Sequence, residues 1–249
     1  MNGANAIEPG HMMPKVPLAD GSPFVHAGSS AAAAPANAAP AAPVLPIDLR
    51  AGLALDHALA RAIGARLAPD YCFAEPFPHI VLENFLPEEV ARVALDHFPR
   101  ENLKSDRVFD IGYAGQHKRQ ILPAECDAEA RALFHFFNSQ PMLAFLEGLT
   151  TIQGLIPDPY FMGGGYHETG RGGKLGIHAD FRVNEQLHLH RRLNVIVYLN
   201  EHWDESYGGN LELWSRDMAE KRREVAPLFN RCVIFNTDAN SYHGHPDPM

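Results

Sequence analysis

The 249-residue sequence has only three cysteines, Cys72, Cys126 and Cys232. Their number is odd, they stand far apart, and no Cys-x-x-Cys spacing occurs. Those facts argue against a disulfide framework and a cysteine-built zinc site, and a reducing cytoplasm is the expected compartment. Positive charge is also scarce: 21 Lys and Arg stand against 30 Asp and Glu, a formal net charge of −9. That balance speaks against a nucleic-acid backbone or an anionic membrane as partner. No apolar run approaches a membrane span. The N-terminus lacks the basic-then-apolar build of a signal peptide, because Glu8 and Pro9 fall where the apolar run would have to be.

Bulky apolar residues are sparse in one region. Residues 1–46 run through "GSSAAAAPANAAPAAPVLP", too little apolar surface to offset the entropy of ordering, and read as a disordered Ala/Pro-rich segment. The remainder, 47–249, is long enough for one domain with a proper core. Leu49, Leu53, Ala60, Ile63 and Leu67 follow helical spacing, predicting a helix ended by Pro69. "HIVL" at 79–82 reads as a strand, followed by a helix opened near Pro87 and closed by Pro99. Two more helical patches within 127–149 are separated by Pro141, and residues 100–120 read as charged and turn-rich.

From Pro159 onward short apolar runs alternate with turn signals: "RRLNVIVYLN", "LELW", "REVAPLF", "RCVIFNT" and "SYHGH". Helices first and short strands second predict an α+β chain with a jelly-roll-like β core buttressed by helices. "GGGYHETGRGGK" is glycine-rich but lacks the Gly-Lys-Ser/Thr of a phosphate loop and precedes a strand, so it reads as a hairpin loop near a site.

Three His-x-Asp pairs occur: His178/Asp180, His202/Asp204 and His245/Asp247. With 14 histidines, chance alone supplies about one such pair, so context must decide. Residues i and i+2 of a strand project to one face with Cβ atoms roughly 6–7 Å apart, within reach of one metal ion. Asp204 sits in a turn, "NEHWDESYGG", and Pro246 fits poorly inside a paired strand. Only His178 and Asp180, in "LGIHADFR", close an apolar segment. Two histidines and one carboxylate leave positions open on a non-haem Fe(II), and "SYHGHP" offers His243 or His245 as the third donor. His243 is preferred because it follows the strand "RCVIFNT", whereas His245 abuts proline.

Taken in order, "LGIHADFR", "RRLNVIVYLNEHWDESYGGNLELW" and "RCVIFNTDANSYHGHP" resemble the prolyl-hydroxylase-like branch of the Fe(II)/2-oxoglutarate-dependent dioxygenases, across about residues 76–249. The resemblance implies a double-stranded β-helix (cupin-like jelly roll) and an iron triad of His178, Asp180 and His243. It implies Tyr166, Asn194 and Tyr198 at the 2-oxoglutarate, and O2 and a peptide or small-molecule substrate as partners. It further implies hydroxylation with release of succinate and CO2, ascorbate serving as reductant. The family holds the distal carboxylate of 2-oxoglutarate with an arginine or lysine on a strand after the second histidine. No basic residue follows Arg231 here, so the domain is expected to lack its last strand or strands, and Arg182 or Arg192 would have to substitute. The rival expectations are a non-catalytic metal- or ligand-binding β-helix, and a metal-dependent β-barrel using His188 and His190. The stretch "VNEQLHLHRR" that holds those two reads as a loop following the ligand segment, either solvated or lying over the substrate.

Overall fold

The computed structural model describes residues 41–101, 107–111 and 115–249, the strand at 107–111 by its backbone alone. Most of the Ala/Pro-rich segment thus lies outside the described residues. The packed part begins a little before residue 47: Val44 and Leu45 donate backbone hydrogen bonds to the carbonyls of Asn84 and Phe85, and Leu45 is fully buried.

Four helices precede most of the strands. Helix α1 spans His57–Cys72, and its Asp56 cap accepts from the Leu59 amide at 2.7 Å. That cap sets the start later than apolar spacing alone predicts, and Pro69 lies inside the last turns instead of ending them. Strand β1 (His79–Leu82) and helix α2 (Glu88–Asp96) follow as predicted. Helices α3 (Ala128–Phe137) and α4 (Gln140–Thr150) are parted at Ser139, with Pro141 in the first turn of α4 where a missing N–H costs nothing.

The region read as turn-rich instead holds a hairpin, β2 (Arg107–Ile111) with β3 (Gly115–Ile121). Nor is most of the glycine-rich stretch a loop: from Tyr166 onward it belongs to the long strand β4, Tyr166–His178. Its glycines form a bulge. Between two paired positions β3 advances from Gln116 to Lys118 while β4 advances from Thr169 to Lys174, with Gly172 at φ 75°. The hairpin β5 (Val183–Asn184) and β6 (Leu189–His190) leads to β7 (Leu193–Val197), β8 (Leu211–Trp214), β9 (Lys221–Val225), β10 (Cys232–Asn236) and β11 (His243–His245).

Apart from β5 and β6, which pair only with each other, these strands form two facing sheets, β1-β10-β7 and β2-β3-β4-β11-β8-β9, the jelly-roll arrangement expected. Strand β10 explains why its sequence is an uninterrupted apolar run. Val233 and Phe235 pack between the sheets with Leu211, Leu213 and Val225, while Cys232 and Ile234 face the helices with Phe85, Phe145 and Leu149. A strand buried on both faces has no polar alternation to display.

Helices α1 and α4 pack against each other at two glycines. A Cβ on Gly64 would lie 2.1 Å from the Phe145 carbonyl oxygen, and one on Gly148 would lie 2.4 Å from that of Arg61. Glycine to alanine ordinarily stabilises a helix by about 1 kcal/mol. Here the opposite sign is expected: Gly64→Ala or Gly148→Ala should destabilise the chain by about 1–3 kcal/mol through forced separation of the helices. Urea unfolding measures this, and an unchanged or raised midpoint would contradict the close approach.

Candidate metal centre

Strand β11 pairs antiparallel with β4 so that His243 lies directly opposite His178. The two imidazoles face one another with ring centroids 4.6 Å apart. Each is oriented in the same way, its Nδ1 lying 2.8 Å from the Gly176 carbonyl for His178 and 2.9 Å from the Ser241 carbonyl for His243. A carbonyl can only accept, so Nδ1 carries the proton and Nε2 presents its lone pair to the space between the rings.

Asp180 enters that space two residues beyond His178. Its Oδ1 lies 3.8 Å from His178 Nε2 and its Oδ2 3.6 Å from His243 Nε2. One donor atom from each of the three residues falls within 4.8 Å of the others. The carboxylate is held from behind: the Asn194 amide donates to Oδ2 at 2.5 Å, Arg191 donates to the Asn194 carbonyl oxygen, and the Arg191 guanidinium lies 3.6 Å from the same Oδ2. Two neutral imidazole nitrogens and one oriented carboxylate oxygen are the donor set of a non-haem Fe(II), and ligands fixed by hydrogen bonds on their far side are the usual build of such sites. The residues present therefore fit an iron ion.

Burial holds His243 well below the usual imidazole range, at about 4, with His178 adding to the effect and the Asp180 carboxylate opposing it. Phe235, fully buried, packs its ring 4.6 Å from that of His243 and supplies the apolar wall. His245 is also lowered to about 4, by burial first and then by Lys118 and His178. Lys118 in turn is lowered by burial, with Asp180 opposing.

Of the other expected site residues, Asn194 lies beside the triad, donating to Asp180. Tyr198 follows β7 and packs between the two sheets against the cluster of Phe77, Val233 and Phe235, where burial pushes its phenol up. Tyr166 is elsewhere. Its hydroxyl donates to the Ala94 carbonyl at 2.7 Å, and its ring contacts Phe98 and Phe134 on the helix side of the sheet. At the far end of β4 from His178, it belongs to the helix-side packing and not to the triad. Asp204 caps a short turn through Ser206, as its context suggests.

His188 and His190 belong to no metal-competent group among the described residues. His97, Asp127 and Glu129 form a second cluster, at the surface, where Asp127 caps α3 and accepts from His97. Sequence reasoning missed Arg191 and Lys118, because the hairpin β5–β6 and the β3–β4 pairing bring them to Asp180 from positions that no motif connects.

Residues 164–249 match the model of the 2OG-Fe(II) oxygenase superfamily. A prolyl-4-hydroxylase from Pseudomonas putida is similar in structure with a TM-score of 0.53 at 20% identity, covering 74% of this chain and 91% of that one. A Trichoplax adhaerens prolyl hydroxylase, solved with a hypoxia-inducible-factor peptide fragment, gives 0.49 at 16% identity, covering 77% and 86%. A Phytophthora capsici prolyl 4-hydroxylase gives 0.49 at 20%, covering 77% and 61%. No curated protein sequence matches the chain. Residues 164–249 are thus similar to the 2OG-Fe(II) oxygenase superfamily, and the fold is prolyl-4-hydroxylase-like.

The lowered histidines make stability depend on pH. An unfolded chain protonates His243 and His245 near the ordinary value of 6.5, whereas the folded chain does so only near 4. Between those values the unfolded state binds more protons, so these groups favour the fold fully above about pH 6.5 and progressively less as pH falls toward 4. Thermal unfolding of chelator-treated protein should show a Tm that declines from pH 7 to pH 4.5. A Tm constant over that interval would mean that these imidazoles are not held neutral.

Proposed function

We propose that this chain is an Fe(II)- and 2-oxoglutarate-dependent dioxygenase that hydroxylates an amino-acid-type substrate, a prolyl residue first among candidates. The observation that carries the reading is the β4–β11 register, which sets His243 across from His178 with Asp180 between their Nε2 atoms. On this reading His178, Asp180 and His243 hold Fe(II), and the bound iron with 2-oxoglutarate and O2 supplies the oxidising power, releasing succinate and CO2.

The chain's own residues do the positioning. The Gly176 and Ser241 carbonyls hold the two imidazoles in the tautomer that ligates. Asn194, braced by Arg191, fixes the carboxylate in the orientation in which it would ligate the ion. We assign Tyr198 to the cosubstrate side of the space between the sheets. Phe235 and the apolar inter-sheet cluster keep bulk water from that space. The buried thiol of Cys232 suits a reducing compartment such as the cytoplasm. No helix among the described residues is long and apolar enough to cross a membrane.

The test is succinate production from 2-oxoglutarate by the purified chain with Fe(II) and ascorbate, paired with a mass-spectrometric search for an added oxygen in candidate substrates. Turnover should require Fe(II). Asp180→Ala and His178→Ala should each lower Mn(II) affinity by at least about tenfold, read by electron paramagnetic resonance. Retained metal binding in both variants would refute the triad. Asn194→Ala should lower metal affinity less, by a few-fold, because the carboxylate survives but loses its orienting donor.

A further inference from the structure

Beside the candidate metal centre lies a cavity of about 300 Å³ bordered by Arg182, His190, Arg191, Arg192, Thr237 and Asp238. The fold gathers these residues from three elements. The Arg191 amide donates to the Arg182 carbonyl at 2.8 Å, closing the base of the β5–β6 hairpin. The Thr237 amide donates to the Arg192 carbonyl at 2.9 Å, carrying the β7–β10 ladder one step past β10. The cavity therefore sits where β7 begins and β10 ends. Arg191 borders both spaces, since its guanidinium also reaches Asp180.

The charges of this cavity are unbalanced. Arg191 is matched by Asp180 and stacks over the Phe181 ring at 4.5 Å. Arg182 and Arg192 have no carboxylate partner among the described residues. Other exposed arginines, Arg50, Arg66 and Arg171 among them, also lack one; what sets the exposed Arg182 and Arg192 apart is that both border the same cavity. One acid, Asp238, lines the cavity, and its Oδ1 accepts from the Asn240 amide at 2.7 Å. Two unmatched guanidinium groups against one carboxylate leave about one positive charge in a concave space, in a protein whose net charge is −9. Thr237, 6% exposed, adds a hydroxyl that has no hydrogen-bond partner among the described residues.

We propose that this cavity is a specificity pocket that binds a carboxylate of the substrate. The metal centre then acts on acidic molecules, or on peptides with an acidic side chain near the modified position. The inference rests on the functional reading above for what happens at the metal, but not for the pocket itself. One residual positive charge suits a singly charged carboxylate better than a doubly charged phosphate, and a guanidinium pair matches the planar carboxylate fork. A group seated there lies one arginine side chain from Asp180. Arg182, His190 and Arg192 are thus specificity residues.

The test uses two isosteres differing by one charge, the Nα-acetyl N-methylamides of glutamate and glutamine. Their binding to the metal-free full chain is measured by calorimetry. The glutamate compound should bind at least tenfold more tightly than the glutamine one. Arg182→Gln and Arg192→Gln should each reduce that preference severalfold, and the double variant should abolish it. Arg→Lys at either position should restore part of it, and circular dichroism would verify that the variants fold. Equal binding of the two compounds, or an unchanged preference in the double variant, would overturn the proposal. A parallel arm measures 2-oxoglutarate affinity with Mn(II) bound. If the double variant weakens 2-oxoglutarate as much as the glutamate compound, the pocket belongs to the cosubstrate and the substrate assignment falls. If Mn(II) and 2-oxoglutarate fail to bind while the charge preference persists, the oxygenase reading fails and the pocket stands.

Discussion

The arrangement depends on one antiparallel pairing, β11 against β4, in the register that places His243 opposite His178. Side chains alternate along a strand, so a slip of one residue would turn His243 to the other face and bring Gly244 into its place. Several contacts resist that slip. On its other edge β11 pairs with β8, His243 opposite Leu213. Gly244 passes so close to β4 that a Cβ there would lie 2.7 Å from the Gly176 carbonyl oxygen. That carbonyl is also the acceptor for His178 Nδ1. The backbone atom that limits the strand approach thus also sets the imidazole tautomer.

The helices contribute by making β10 unable to move. Its outer face is buried against α1 and α4, whose own approach is limited by Gly64 and Gly148. Its inner face presents Phe235, which stands opposite Asn194 in the β10–β7 pairing and touches the His243 ring. Displacement of the helix layer would be transmitted through Phe235 to both the metal-facing imidazole and the amide that steadies Asp180. Packing far from the donors is therefore part of the site's geometry, since interiors are too dense to absorb such shifts.

What could be read from residues alone was whatever depends on local pattern. His178 and Asp180 stood out from two similar pairs because only they close an apolar strand, and His243 was separable from His245 by the strand preceding it. Pairing across distant segments has no local signature. The β2–β3 hairpin was hidden by charged residues such as Lys118 and Arg119, which look like loop but line opposite faces of β3. Arg119 pairs with Glu168 across the strands, while the half-buried Lys118 lies on the other face, near enough to Asp180 to feel its charge. The glycines of β4 read as a loop because a bulge and a loop share a composition, and only the partner strand distinguishes them. Tyr166 was misplaced toward the site for the same reason. Its face of the strand is set by its pairing opposite Ile121, which turns it to the helices.

Electrostatics around Asp180 follow from that same concealed pairing. A carboxylate that must ligate a cation is ordinarily left without competing cations, yet Arg191 and Lys118 both act on Asp180 here. Burial lowers both cations toward their neutral forms, and the nearby carboxylate partly offsets this in each. Arg191 remains charged because a guanidinium scarcely deprotonates in proteins, and it divides its donors between Asp180 and the Asn194 carbonyl oxygen. A divalent ion among His178, Asp180 and His243 would repel both cations and draw Asp180 forward. Arg191 would be left with Asn194 and the cavity beyond it, where an incoming carboxylate could replace the partner that the metal takes. Metal loading and acid binding would then be favourably coupled through a single side chain.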